Sequence, residues 1–446
     1  MFEARFRAGQ SLRLSALTLG AALAVPVAVF AADAVKTPTF TKDIAPIFQE
    51  KCEACHRPDS IAPMSLKSYA ETRPWVRSIK SRVESHNMPP WQIDKTVGVQ
   101  KFKNDRSLTE EQLATIVKWV DTGAPQGDPK DMPGPKSWPD DQGWNFAAQF
   151  GQKEPDMIIK SEAFTMPAVS QDAWDKRVTA SGITEPRVVR AIEIRPITVK
   201  GRRITHHAIA YLEQEDPSAT PSFLPTPFME WAVGKQGEML RPDTGKLLLP
   251  GSKFHWDIHY SQAGEEITSQ VEMGIYFYPK GQEPKNRTTL SLVPAALGVM
   301  DIRPNTLSMS EGFFTLRDNA RLESFQPHMH LRGKAMQVTA LFPTGQQQVI
   351  SYVNNFDFNW MTSYLYADDV APLLPKGTIL KVTAWHDNTS AKKSNPDPNQ
   401  WVGWGDRTVD EMAHAWINIV DMNDADYKVE QEKRRTQAAS TQQQQQ

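Results

Sequence analysis

Two sets of residues have the types and spacing to do chemistry: one cysteine motif and a series of paired histidines. Cys52-Glu53-Ala54-Cys55-His56 is a C-x-x-C-H sequence, in which two thiols can form thioethers with haem vinyl groups while the adjacent imidazole ligates the iron. A redox dithiol is the competing use of such a pair, disfavoured by the immediate histidine and by the lack of any third cysteine. With two cysteines the chain also cannot build a disulfide framework, a four-thiolate zinc site or a cysteine-ligated iron–sulfur cluster. A second axial iron ligand must come from the opposite face of the haem. Met88 is the first choice because Pro89-Pro90 would hold its loop extended, with His86 and Met64 as the alternatives.

Of the ten histidines, eight lie after residue 200, mostly in pairs: His206 with His207, His255 with His259, His328 with His330, then His386 and His414. In a strand, positions i and i+2 share a face about 6–7 Å apart, so His328 and His330 can hold one metal between them. His255 and His259 also share a face but lie about 13 Å apart in a regular strand, too far for one ion. Adjacent His206 and His207 point to opposite sides unless a bulge or a strand end brings them together. Taken singly, each pair is as well explained by structure as by metal binding.

The elements that must position these groups fall into three textures. Leu113, Ile116, Val117 and Val120 recur at helical spacing, with Ser107 and Glu110 as the expected capping pair and Gly123 as the stop. Five prolines between Pro125 and Pro139 then mark a semi-rigid linker. Beyond it, short alternating runs such as Arg190–Ile197, Val271–Tyr278, Met336–Phe342 and Ile379–Trp385 read as antiparallel strands. They are too many for one ordinary sandwich, and the turn-rich stretch 279–287 is the expected division. The charged tail ending in five glutamines is expected to be disordered.

Composition narrows the class further. The 446 residues are 23% charged and 40% hydrophobic, with 50 Lys plus Arg against 52 Asp plus Glu, a globular and nearly neutral balance that disfavours a nucleic-acid partner. Arg5, Arg7 and Arg13 precede an apolar stretch from Leu14 to Ala31, which reads as a cleaved secretory signal and a periplasmic or secreted location. No later segment is apolar enough to span a bilayer.

Residues 40–128, with FTKDIAPIFQEKCEACH, the loop NMPPW and the closing LTEEQLATIVKWVDTGAP, resemble a class I c-type cytochrome domain. Further on, THHAIAYL, GSKFHWDIHYS, FQPHMHLRGK and RTVDEM resemble, in order and spacing, the type II copper monooxygenases that include the peptidylglycine and dopamine hydroxylases. The second resemblance implies two copper ions, one held by His206, His207 and His259 and the other by His328, His330 and Met412. It also implies two jelly-roll-like sandwiches with one copper on each, facing across a cleft. A thioether favours Cu(I), so the Met412 centre, with His328 and His330, is the expected site of dioxygen activation. His255 has no family role.

This sequence departs from the peptide-amidating members. Their arginine before the paired histidines is Gln326 here, and their asparagine and tyrosine after the methionine are His414 and Trp416. Without a fixed cation a substrate carboxylate has no partner, and the family's disulfides are missing as well. The whole reads as a signal (1–31), a helical cytochrome c domain (36–128), a linker (129–145), two antiparallel β-sandwiches (146–283 and 284–427) and a tail (428–446). The function expected is hydroxylation of a C–H bond in a small apolar or aromatic substrate with O2. Electrons would come through covalent haem c from ascorbate or a redox protein. A non-catalytic periplasmic electron-transfer or copper-binding protein is the alternative.

Overall fold

The structure, a computed structural model, describes residues 37–444 except 59, 61, 139–142, 218–225, 233, 234, 236 and 297. The expected export signal therefore lies outside the described residues. Helices Ala45–Lys51, Val76–Glu84 and Glu110–Asp121 close around Phe40, Phe48, Ile79, Val83, Ile116 and Trp119. The last helix starts later than its expected cap. Thr109 accepts from the Gln112 N–H while Gln112 reaches back to the Thr109 N–H, a capping box two residues beyond the Ser107 and Glu110 pair. Leu108 decides between the two boxes: it is buried in the same core as its neighbour Leu113, and this apolar clasp fixes where the chain enters the helix.

The segment expected to belong wholly to this helical unit does not. Trp91 and Ile93 are buried in the carboxy-terminal β core, with Val99 and Phe102 packed against it. Ile93 bridges Val353 and Phe102 bridges Tyr366, and Trp91 meets Tyr364 edge-on at 4.8 Å. Within the stretch 91–104 the backbone groups of Asp94, Val99, Lys101 and Lys103 pair with residues 350–367, far along the chain. From Pro38 onward the chain is one compact unit.

After the helices the chain is mostly antiparallel sheet. Strands Ala173–Asp175, Lys253–Tyr260, Thr205–Glu213 and Thr226–Ala232 form one sheet in that order. Leu307–Thr315, Ile379–Asp387, Gly333–Leu341 and Gln347–Val353 form another. A larger sheet supplies the facing layer for both. Its part formed by Arg187–Pro196 and Val271–Phe277 shares a core with the first sheet through Ile192, Ile194, Met273, Phe254 and Trp256. Its part formed by Asn286–Pro294, Ala413–Met422 and Asn319–Met329 shares a core with the second through Val293, Ile417, Phe325, Val338 and Val382. The two parts join where Thr244 and Gly245 pair in parallel with Asn286 and Arg287.

The proline-rich linker docks rather than spans. Gln49 donates to the Gly134 carbonyl and Trp138 to Glu53, while the N–H groups of Asn145 and Phe146 donate to buried Glu193. The tail also differs from expectation: Asp424–Gln444 is a helix, anchored where Arg434 pairs with Glu430 and donates to the Ala371 carbonyl. Its run of Glu, Lys, Arg, Gln and Ala, with no proline or glycine, favours helix over coil. Among the described residues no helix is long and apolar enough to cross a membrane.

Candidate metal centre

Strand register explains how adjacent His206 and His207 come together. Along the ladder His259 faces His207 but Tyr260 faces Thr205, so His206 is the extra residue of a bulge at the start of its strand. The bulge turns both imidazoles to one side, with their Nδ1 atoms 3.2 Å apart. His259 comes from the neighbouring strand. The donor atoms of His206, His207 and His259 all lie within 4.8 Å of one another, the only such group of metal-ligating side chains among the described residues. Trp174 stacks flat on His259 at 4.6 Å, and Asp172 lies 3.2 Å from His259 Nε2 without the alignment of a hydrogen bond. Thr408 donates to Asp172, tying this site to the segment that carries Met412.

The second set is built on the facing strands. His328 ends the Asn319–Met329 strand one residue before its last, and His330 follows it; their rings meet at 5.5 Å. His328 pairs across the ladder with His414 and Met329 with Ala413, and His330 and Met412 each lie one residue beyond that last pair. The His330 ring nitrogen Nδ1 lies 3.1 Å from the Asp410 carbonyl, which leaves Nε2 for a metal. Buried Glu411 holds this turn by accepting from the N–H groups of His330 at 2.9 Å and Arg332 at 2.5 Å. His386 is buried beside it, its Nε2 3.2 Å from the Met412 carbonyl.

The two sets do not face each other across an open cleft, as the family resemblance implies. His207 and His328 have ring centroids 6.2 Å apart, and Phe358 stacks on His206 at 4.9 Å while meeting His330 edge-on at 6.0 Å. The result is one continuous patch of imidazoles. Burial pushes the pKa of His206 down to about 4 and that of His414 down to about 3, helped by neighbouring imidazoles. His207 and His328 are held well below the ordinary value for the same reasons. All four are neutral at pH 7, the form that binds metal.

His255 stands apart, exposed and paired with Glu213. Trp416 is buried, packed with Ile209 and Leu290. Residues the sequence did not single out are Asp172, Trp174, Phe358 and Glu411. Only Glu411 had a signal, its place before Met412. Glu411→Gln is expected to destabilise the fold by about 2–3 kcal/mol, because one of the two backbone N–H groups keeps a neutral oxygen partner while the other faces an NH2 group that cannot accept, and to weaken metal uptake at the adjacent set roughly 10–100-fold. Denaturant midpoints and metal titration check this, and an unchanged midpoint would count against the anchoring role.

The cysteine motif lines a different space, a cavity of about 880 Å³. Cys52, Cys55, His56, Met64 and Met88 face it from the helical side, and Asp357, Asn359, Trp360 and Met361 from the β side. His86 is exposed, with a left-handed backbone at φ 55°, and is not among the lining residues. The His56 Nδ1 lies 3.3 Å from the Met64 carbonyl, so Nε2 is the atom left for a ligand. Burial pushes the Cys52 thiol up to about 12, the reverse of what a reactive redox thiol needs.

No family model matches the chain, and no curated protein matches it. Among solved structures, the exported protein XepA of PBSX is 7% identical with a TM-score of 0.15, over 58% of this chain and 92% of that one. Recombinant pro-11S globulin of pumpkin is 9% identical with a TM-score of 0.14, over 53% of this chain and 73% of that one. Likenesses of this size carry no argument about fold or activity.

Proposed function

We propose that this chain is an exported, copper-dependent monooxygenase that hydroxylates a C–H bond of a small, uncharged organic substrate, fed with electrons through a covalently attached haem. On this reading the helical segment is a c-type cytochrome unit and the β region a pair of jelly-roll-like sandwiches. The observation that carries the proposal is the convergence of His206, His207, His259, His328 and His330 into one imidazole patch, with Met412 next in sequence to Glu411, which accepts from the His330 N–H. Neutral, buried imidazoles beside a thioether suit copper better than zinc, which rarely recruits methionine.

The residues present also fit a haem: two thiols, an imidazole with its Nε2 available and a methionine line one cavity of suitable size. Copper would supply the one-electron chemistry with dioxygen, and haem the delivery of single electrons from ascorbate or a redox protein. The protein's own part is positional. Met64 O orients His56, Asp410 O orients His330, and Glu411 fixes the turn between the two strands. Gln326, His414 and Trp416, all buried, offer no cation for a substrate carboxylate, which supports an uncharged substrate.

The test is a substrate screen with 18O-labelled dioxygen, using reduced protein and ascorbate as donor, read by mass spectrometry. One labelled oxygen in an apolar or aromatic product is expected. Copper-replete protein that reoxidises without hydroxylating any apolar, aromatic or peptide compound would replace this proposal with that of an electron-transfer or copper-binding protein.

A further inference from the structure

We infer that His414 is a metal ligand, so that the second centre draws on three imidazoles, His328, His330 and His414, in addition to the Met412 thioether. The inference rests on the copper-binding reading above and deepens it. His414 stands at the position where the peptide-amidating family carries an asparagine, so the resemblance assigns it no ligand role.

Position is the first argument. His414 is the second residue of the strand that follows Met412 and pairs directly with His328; residues opposite each other in an antiparallel ladder share a face of the sheet. Their rings are stacked at 4.4 Å with 21° between planes. His328 in turn touches His330 and His207, so the imidazole of His414 is continuous with the patch rather than a neighbour of it.

Polar closure is the second. His414 is 7% exposed, and its Nε2 is buried without any hydrogen-bond partner. A buried imidazole nitrogen left in that condition carries an uncompensated desolvation cost that phenylalanine or leucine would avoid if packing were the only task. Its other close ring is Trp416, edge-on at 5.0 Å, whose own indole nitrogen is equally unpartnered. A cation accepting the imidazole lone pair removes the deficit at Nε2.

The chemistry follows from the donor set. Three imidazoles hold Cu(II) as well as Cu(I), whereas a site of two imidazoles and a thioether is biased toward Cu(I). His414 would therefore keep the metal in place through both oxidation states. The donors of His328, His330 and His414 are not gathered within 4.8 Å as those of the first triad are. Rotation of the stacked His328 and His414 rings about their side-chain bonds is the adjustment that metal uptake requires.

Copper titration of the full haem-containing protein, with metal analysis and electron paramagnetic resonance of the Cu(II) form, tests the assignment without any turnover. Wild type is expected to take up two coppers. His414→Phe, which keeps a ring of similar size, should retain the copper of the first triad. It should weaken the second by more than the roughly 10–100-fold that loss of an outer-shell partner costs, with fewer nitrogen couplings in the spectrum. His414→Asn serves as the second variant should the phenylalanine fail to fold, and exposed His255→Ala should leave both metals unchanged. Two coppers with an unaltered spectrum in the His414 variants would overturn the assignment, as would a wild-type protein that fills the first triad alone. Wild-type protein that binds both metals through His414 yet hydroxylates nothing would sink the oxygenase proposal and leave this one standing.

Discussion

Alanine at both Cys52 and Cys55 is expected to yield a protein whose haem is extracted by acidified organic solvent, while the wild-type chain retains it. Thioether bonds are the only link that survives loss of the fold, so the result reports attachment rather than affinity. The cavity makes a further distinction. Met64 and Met88 both line it, but the Met64 carbonyl lies 3.3 Å from His56 Nδ1, which sets Met64 on the His56 side. Met88, the other methionine on the cavity wall, is the ligand proposed for the opposite face. Met88→Ala should abolish the low-spin methionine signature in the optical spectrum, whereas Met64→Ala should leave it and perturb His56. Survival of the signature in Met88→Ala would remove Met88 from the ligand set.

How much of this was legible in the sequence depends on whether the deciding interaction is local. The helix over Glu110–Asp121 was readable from the spacing of Leu113, Ile116, Val117 and Val120, and the strands from their alternation. Its starting point was not, because two Ser/Thr-x-x-Glu/Gln boxes overlap and the burial of Leu108, a tertiary fact, selects the later one. The departure of residues 91–104 into the distant β core left no local mark, since much of it rests on backbone pairing with residues 350–366.

The candidate site shows the same division. Pairing at i and i+2 made His328 and His330 visible, and the need for a bulge at His206 followed from strand geometry alone. The approach of His207 to His328 did not, because it depends on how two sheets lie together, and Phe358 joins the patch from a loop whose composition says nothing of its target. His414 illustrates the cost of reading by resemblance. In sequence it stands unpaired among the histidines and in the place of the family's asparagine, and only its register opposite His328 shows it as part of the imidazole patch.

Metal-free protein is expected to lose stability steeply as the pH falls below 6.5. In the unfolded chain a histidine takes up its proton near 6.5, whereas burial holds His206 to about 4 and His414 to about 3, and His207 and His328 are lowered as well. The unfolded state therefore binds more protons than the native state throughout this window. Stability is fully present above 6.5 and declines by about 1.4 kcal/mol per pH unit for each such histidine that the unfolded chain has protonated. Carboxylates with ordinary values titrate mostly below this interval, and Glu230, Asp257 and Asp421, raised by desolvation, take up protons in the native state and so act against a slope that the imidazoles set. Urea midpoints of chelator-treated protein across that interval measure it. His414→Phe should reduce the slope by about one proton's share, roughly 1.4 kcal/mol per unit where the unfolded histidine is protonated. Copper-loaded protein should resist to lower pH and then fail abruptly once protons displace the metal, since only neutral imidazoles coordinate. A flat profile from pH 7 to 5 in the metal-free protein would mean that these rings are solvated, and the buried patch on which the metal proposals stand would not exist.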